Sequence, residues 1–217
     1  MHSIFFSCWC AAIVAARDPR PPSFNSDFTL TGLTTVVSKD NVLTLPQSIF
    51  QSASTNQTLN LVAYEEGWFV ETLDDYNVGK EIEFTPKTSE CNISPKEDNF
   101  FDLLNWVRVA TYAGQAPVAG EIVDSWKLES ETVKLQLDVS SDGIPKRLVV
   151  RTPDNDNDFT TLVMLITEFD NSAPDSAMFN VPDYCLPGAD AVTSRYSSDT
   201  KTREIREMFK VFKHHLE

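Results

Sequence analysis

Short segments in which apolar and polar residues alternate recur through this chain, and they constrain its fold more than any other feature. In residues 131–139, apolar side chains stand at every second position from Val133 to Val139. Turns rich in Asp, Asn, Ser and Gly separate such segments, and strands do not alternate with helices. The pattern predicts a mainly β (α+β) fold with a curved antiparallel sheet of about eight strands and helical segments.

The individual strands are predicted from the same alternation and from the turn residues between the segments. They are residues 28–37, 58–65, 67–74, 80–86, 121–128, 131–139, 146–151 and 159–170. Residues 100–113 fit either a short helix that leads into a strand or one bent strand. Residues 94–99, which follow Cys91 closely, have the composition of a loop.

The N-terminal residues 1–16 form an apolar run of signal-peptide length, which is too short to span a bilayer comfortably. The proline-containing stretch RDPRPP follows at once and would end any helix. We expect this run to direct secretion and to be removed, the alternative being a buried N-terminal helix. The expected location is the secretory pathway, either extracellular or lysosomal, without a transmembrane segment.

Two cysteines would remain after the leader is removed. Cleavage takes away Cys8 and Cys10 and leaves Cys91 and Cys185. In an oxidising compartment two cysteines most simply form one disulfide bond, the alternative being two buried free thiols. The bond would close a loop of about 95 residues and, by the loop-entropy model, stabilise the fold by roughly 4–5 kcal/mol.

Glycosylation signals and charge agree with an extracellular protein that does not bind polyanions. The sequence carries two Asn-X-Ser/Thr signals, at Asn56 and Asn92. The whole chain has a net charge of −14. Residues 17–199 hold 13 basic and 29 acidic side chains, whereas residues 200–217 hold five and three. An acidic body repels phosphate groups, so neither nucleic acid nor an anionic lipid surface is an expected partner.

Histidine is missing from the predicted body, and no pair of its many carboxylates stands out as a hydrolytic pair. The three histidines are His2, His214 and His215, so a Ser-His-Asp or Cys-His site cannot be built there. Residues 154–158 (DNDND) resemble a calcium-binding loop only superficially, because they lack the glycine and the bidentate glutamate. The expectation is therefore a chain that is not an enzyme and has no metal or cofactor site.

Three tryptophans are predicted to lie on or beside the sheet. Trp68, Trp106 and Trp126 would form an apolar ligand-binding face if the sheet curved strongly around them. The alternative is that they belong to an ordinary hydrophobic core, which is the commoner role of such residues.

Residues 179–188 (FNVPDYCLPG) are predicted to close the β domain, which would span residues 17–188. A polar linker, residues 189–199, and an amphipathic C-terminal helix, residues 200–217, would follow. This helix would either dock on the acidic body or belong to a further domain. Its apolar stripe consists of Ile205, Met208, Phe209, Phe212 and Leu216.

The segments GEIVDSWKL (120–128), FNVPDYCLPG (179–188) and MFKVFKHHLE (208–217) together resemble the N-terminal, non-catalytic region of certain papain-family cysteine proteases. These proteases include counting-factor-associated protein D and related insect and crustacean enzymes. The resemblance implies a half-barrel of the ependymin or bacterial lipoprotein-carrier type. It also implies that Phe209, Phe212, Lys213 and His214 belong to the first helix of a cathepsin propeptide inhibitor.

The resemblance predicts the non-catalytic accessory region of a secreted or lysosomal cysteine protease precursor, truncated before the catalytic domain. The implied partner is a papain-like catalytic domain in cis, and no catalytic residue can be carried over to this chain. The alternative is a stand-alone secreted half-barrel that carries a lipid or another hydrophobic molecule. A third hypothesis is an extracellular matrix or adhesion glycoprotein of the ependymin type.

Overall fold

The computed structural model describes residues 19–39, 41–64, 68–131, 133–153 and 159–186. Within these ranges eleven strands form one antiparallel sheet. The strands are β1 (Phe28–Ser38), β2 (Asn41–Ser52), β3 (Gln57–Tyr64), β4 (Trp68–Asp75), β5 (Lys80–Thr85), β6 (Glu90–Pro95), β7 (Thr111–Val118), β8 (Glu121–Glu129), β9 (Lys134–Val139), β10 (Pro145–Pro153) and β11 (Phe159–Asp170). Short 3-10 helices span Asn105–Val109, Ser176–Phe179 and Asp183–Cys185.

The sheet consists of two meanders that meet at its centre. Strands β1 to β6 pair in chain order, β7 to β11 pair in chain order, and β1 pairs with β11. The sheet is curved and does not close, so β6 and β7 form its two edges. The chain passes from one edge to the other through residues 96–110. This architecture confirms the predicted class, a mainly β antiparallel half-barrel.

A β-bulge between Thr31 and Gly32 shapes the central pair of strands. A Cβ atom at Gly32 would lie 2.1 Å from the backbone carbonyl oxygen of Leu165. No flexible side chain could move to relieve this contact, because the nearest atoms belong to the backbone of Leu165 and Ile166. Glycine is therefore required for β1 and β11 to approach each other this closely.

The larger hydrophobic core lies on one face of the sheet, which we call the inner face. Residues in cross-strand register form continuous rows on this face. One such row contains Leu45, Thr34, Met164, Leu148, Leu137, Trp126 and Tyr112. Most of these side chains are fully buried, so both meanders contribute to a single core.

A second, smaller core lies on the opposite face, which we call the outer face. It covers only the β2–β6 half of the sheet. Its central row contains Phe50, Leu59, Leu73, Ile82 and Ile93. Residues 176–186, here named the outer cover, lie over this row and bury Phe179 and Cys185. The two cores overlap only on β2 and β3, because inner-face positions of β4 and β5 carry polar side chains such as Asp74 and Glu81.

Three strands go beyond the sequence-based prediction. β2 was not predicted because Gln47 and Gln51 stand at buried inner positions and hide the alternation. Pro46 is compatible with this strand because β2 pairs with β3 only from Gln47 onward. β6 is a short edge strand that has a loop-like composition. β7 begins within the ambiguous residues 100–113, where the structure shows a short 3-10 helix that leads into a strand.

Candidate functional site

Residues 100–110, here named the inner cover, lie over the inner core. The 3-10 helix Asn105–Val109 contacts β8. Four apolar side chains of the inner cover are at most 5% exposed. They are Leu103, Leu104, Trp106 and Val107. This irregular stretch of chain thus completes the inner core without being a strand of the sheet.

Two polar side chains fasten the inner cover to the sheet. The amide of Gln51, which is 1% exposed, accepts a hydrogen bond from the backbone N–H of Leu103 at 3.1 Å. The same amide donates to the carbonyl of Ser26 at 3.0 Å and to the Asp102 carboxylate at 3.4 Å. Asp102 also accepts a hydrogen bond from the Ser26 hydroxyl. A buried glutamine therefore joins the cover to the N-terminal segment.

A buried ion cluster lies where the chain leaves β6 and approaches the inner cover. The Lys96 side chain is 4% exposed, and its Nζ lies 3.2 Å from Asp74 Oδ1. Glu81 and Asp98 carboxylate oxygens lie 3.8 Å and 3.7 Å from the same atom. Burial, and then the charge of Asp74, raise the pKa of the nearby Tyr76. The cluster fixes the start of the segment that crosses the inner face.

The far end of the inner cover is held against the N-terminal segment. Arg108 Nη2 donates to the carbonyl oxygen of Phe24 at 3.5 Å. The Phe24 ring packs edge-on against Phe169 of β11, with ring centroids 5.6 Å apart. Residues 19–27 and the inner cover thus form one lid over the inner face.

Two of the three tryptophans singled out in the sequence meet in the inner core. Trp126 is 3% exposed and Trp106 is 5% exposed. Trp106 Nε1 is buried and has no hydrogen-bond partner among the described residues. Trp68 lies outside this core, with 37% of its surface exposed and the Lys87 Nζ 4.8 Å from its ring centroid.

The predicted cysteine pair is bonded in the structure. Cys91 of β6 and Cys185 of the outer cover have Sγ atoms 2.15 Å apart and Cα atoms 5.5 Å apart. Tyr184 packs on the same outer core, close to Glu71 of β4. Burial raises the pKa of the Glu71 carboxyl. Burial, and then the charge of Glu71, raise the pKa of Tyr184.

The two predicted glycosylation signals lie in different environments. Asn92 is exposed on the edge strand β6, where a glycan has room. Asn56 is half-buried in the turn between β2 and β3, with a φ of 53°. Its Nδ2 lies 3.4 Å from Asn77 Oδ1. Asn92 is therefore the more accessible of the two.

Several predicted features lie outside the described residues. These are the signal peptide (1–16), the DNDND turn (154–158), the linker (189–199) and the C-terminal helix (200–217), which includes Ile205, Met208, Phe209, Phe212, Lys213, His214 and Leu216. Within the described ranges, no helix has the length and hydropathy needed to cross a bilayer. In the same part of the chain, no group of three or more His, Cys, Asp or Glu residues is arranged to hold a metal ion.

The sequence did not reveal the groups that fasten the inner cover. Gln51 gave no signal, because β2 was not predicted and the burial of its amide is seen only in the folded chain. Lys96 and Asp102 stand in segments of loop-like or ambiguous pattern. Their partners come from other strands, so spacing along the chain does not indicate them.

The fold and the covered inner face define the class of this chain as an open, mainly β half-barrel. No protein-family model matches the chain, and no curated protein matches it. Solved structures with some similarity include an outer membrane lipoprotein-sorting protein domain, so described, from Vibrio parahaemolyticus. That domain has a TM-score of 0.33 and 8% identity over 71% of this chain and 89% of its own.

Two further solved structures have a comparable level of similarity. A DUF1329 family protein from Desulfovibrio piger has a TM-score of 0.34 and 11% identity, covering 72% of this chain and 90% of its own. PNGF-II has a TM-score of 0.31 and 10% identity, covering 70% of this chain and 30% of its own. Similarity at this level does not assign a function.

Proposed function

We propose that this half-barrel is a non-catalytic binding protein that holds an apolar ligand against its inner face, beneath the inner cover. One observation carries the proposal. A continuous apolar face, built by both meanders, is closed by an irregular segment that is fastened by side-chain hydrogen bonds rather than by sheet pairing. Opening such a segment breaks no sheet pairing, and a bound ligand would replace the apolar burial that its side chains give up.

The closed state also has a free-energy cost, which arises at Trp106. The buried Trp106 Nε1 lacks a hydrogen-bond partner among the described residues. A buried donor without an acceptor costs about 1–3 kcal/mol. Displacement of Trp106 from the core would remove this cost, which offsets part of the apolar burial that the displaced ring loses.

The ligand would replace side chains of the inner cover and would not fill an empty cavity. Leu103, Leu104 and Trp106 occupy the inner core in the closed state. A lipid chain or another hydrophobic molecule would take the volume that these side chains vacate, with similar apolar area buried. Binding is therefore coupled to movement of residues 100–110.

The proposal is tested with the full chain, purified after secretion. Native mass spectrometry and extraction with organic solvent would detect a co-purified apolar molecule. With delipidated protein, cis-parinaric acid should show energy transfer from the core tryptophans when it binds. Amide hydrogen exchange in residues 100–110 should increase at the same time, because the inner cover must move.

Two tryptophan variants make the test specific. Trp106→Phe should lower the energy transfer, because Trp106 lies in the inner core. Trp68→Phe is the matched control and should leave most of the transfer intact, because Trp68 is exposed beside Lys87. Absence of any bound mass, together with unchanged fluorescence on addition of the probe, would contradict the proposal.

The protease pro-region remains a prediction from sequence resemblance. The three solved structures described above do not include a cysteine protease precursor. Genomic sequence downstream of Glu217 tests it directly, and a stop codon with no protease exons would exclude it. The secretory route, which both hypotheses require, is supported by the bonded Cys91–Cys185 pair and the exposed Asn92.

A further inference from the structure

An apolar strip crosses the middle of the outer face, beside the region that the outer cover protects. It consists of Leu33, Val37, Val42 and Leu165, here named the central strip. Leu33 stands opposite Leu165, and Val37 stands opposite Val42. These side chains are between 39% and 66% exposed, although they lie on the central strands β1, β2 and β11.

The central strip consists of two cross-strand pairs, and the hydrogen-bonded hydroxyls of Thr35 and Thr44 lie between them on the outer face. Its members come from three adjacent strands, so it is about 10 Å wide at the usual strand spacing. Leu33 and Val37 are four positions apart on β1, which makes the strip about 13 Å long. Clustered apolar surface of this kind marks an interaction site more often than isolated residues do.

We propose that the C-terminal segment, residues 200–217, docks as an amphipathic helix on the central strip of its own chain. The apolar stripe of this segment runs from Ile205 to Leu216. A helix of that length extends about 16 Å, and its diameter is about 10 Å. These dimensions match the length and the width of the strip.

The linker between the outer cover and the C-terminal segment is long enough to allow this docking. The described chain ends at Leu186, on the outer face, one residue after the disulfide to β6. β6 is five strand positions from β1, or about 24 Å. Residues 187–199 can span about 43 Å when extended. The segment can therefore reach the strip without rearrangement of the sheet.

The small size of the strip favours an intramolecular partner over a second copy of the chain. A stable protein–protein interface buries about 800 Å² on each partner, which exceeds what four side chains provide. A tethered segment needs much less, because a short linker gives it an effective concentration in the millimolar range. Five basic side chains on the segment also face a body in which residues 17–199 have an excess of acidic groups.

Amide hydrogen exchange of the full secreted chain tests the docking. Residues 205–216 should exchange at least about tenfold more slowly than in a free peptide of the same sequence. The double variant Leu33→Thr/Leu165→Thr should greatly reduce that protection, because it removes both leucines of the strip. The matched control Val78→Thr/Ile122→Thr, which changes exposed apolar residues elsewhere, should retain it.

A second variant keeps the test valid if the strip variant folds poorly. Phe209→Ser/Phe212→Ser leaves every described residue unchanged, and it should raise the binding of an apolar dye by exposing the strip. Equal exchange of residues 205–216 in the full chain and in the free peptide would overturn the proposal. Protection that rises with protein concentration would also overturn it, because it would indicate a second copy.

Discussion

At the scale of single residues, Gly32 is the described glycine at which the surrounding backbone leaves least room for a side chain. The nearest atoms to a Cβ at this position are backbone atoms of Leu165 and Ile166. Gly32→Ala should therefore separate β1 from β11 at the bulge and destabilise the fold by about 1–3 kcal/mol or more. Urea unfolding measures the effect. Thr35→Ala on the same strand is the control, and an equal loss in both variants would refute the steric explanation.

Glu71 gives a second residue-scale prediction, which concerns pH. Because burial raises its pKa in the folded protein, folding disfavours the ionised carboxylate. The contribution of this carboxyl to stability is present below its unfolded pKa and is lost as pH rises through the raised folded value. Glu71→Gln should therefore stabilise the protein at neutral pH and give no gain below about pH 4.

Chemical denaturation at several pH values measures this difference. Glu129→Gln is the matched control, because Glu129 is exposed at the end of β8. A stability gain for Glu71→Gln that persisted unchanged in acid would show that the effect does not come from ionisation. Tyr184, whose pKa is raised partly by Glu71, provides a spectroscopic check by its alkaline titration.

The roles of some residues could be predicted from the sequence, whereas the roles of others could not. The Cys91–Cys185 bond was predicted by counting the cysteines outside the predicted leader, and the structure contains it. Gln51 and Lys96 could not be assigned roles in this way. Their partners are the backbone of the inner cover and carboxylates on other strands, and only the folded chain brings these groups together.

At the scale of elements, the inner cover should respond to loss of its central fastening. Gln51→Leu would leave the Leu103 N–H and one Asp102 oxygen without their Gln51 contacts. The expected cost is about 1–3 kcal/mol. Hydrogen exchange should increase mainly in residues 100–110, while the strands keep their protection.

The control for this prediction is Gln115→Leu, at an exposed position on the edge strand β7. It should change neither the stability nor the exchange of the inner cover appreciably. Uniform loss of protection throughout the sheet in Gln51→Leu would contradict a local role. It would mean that Gln51 supports the whole core and not the cover.

Elements with strict alternation could be predicted, and those with polar or proline interruptions could not. β9 and β11 show continuous alternation or a long apolar run, and both were located from sequence. β2 was missed because its inner face carries two glutamines that pair with buried polar groups. β6 was missed because an edge strand needs few apolar residues and tolerates Pro95.

At the scale of the whole molecule, the disulfide joins the end of the described chain to an edge of the sheet. Cys91 and Cys185 are 94 residues apart. Replacing both by alanine should lower the free energy of unfolding by up to about 4–5 kcal/mol, because the unfolded chain gains freedom. Differential scanning calorimetry of the purified protein and of the double variant measures the change.

Removal of the disulfide should not destabilise all parts of the fold equally. The outer cover should show raised hydrogen exchange first, because Cys185 holds it to β6, while the inner core keeps its packing. Reduction of the native bond should give the same pattern without mutation. A cover that remained as protected as before would show that Phe179 and its apolar neighbours suffice to hold it.

The pairing of β1 with β11 at the centre of the sheet also has a consequence for biosynthesis. β11 begins about 120 residues after β1 ends, which corresponds to roughly 6–24 s of translation. During that interval the first meander can form, but β1 presents an unpaired edge in what will become the middle of the sheet. β1 therefore stays open to strand addition by other chains until the second half of the chain emerges, which makes aggregation during synthesis a hazard of this topology.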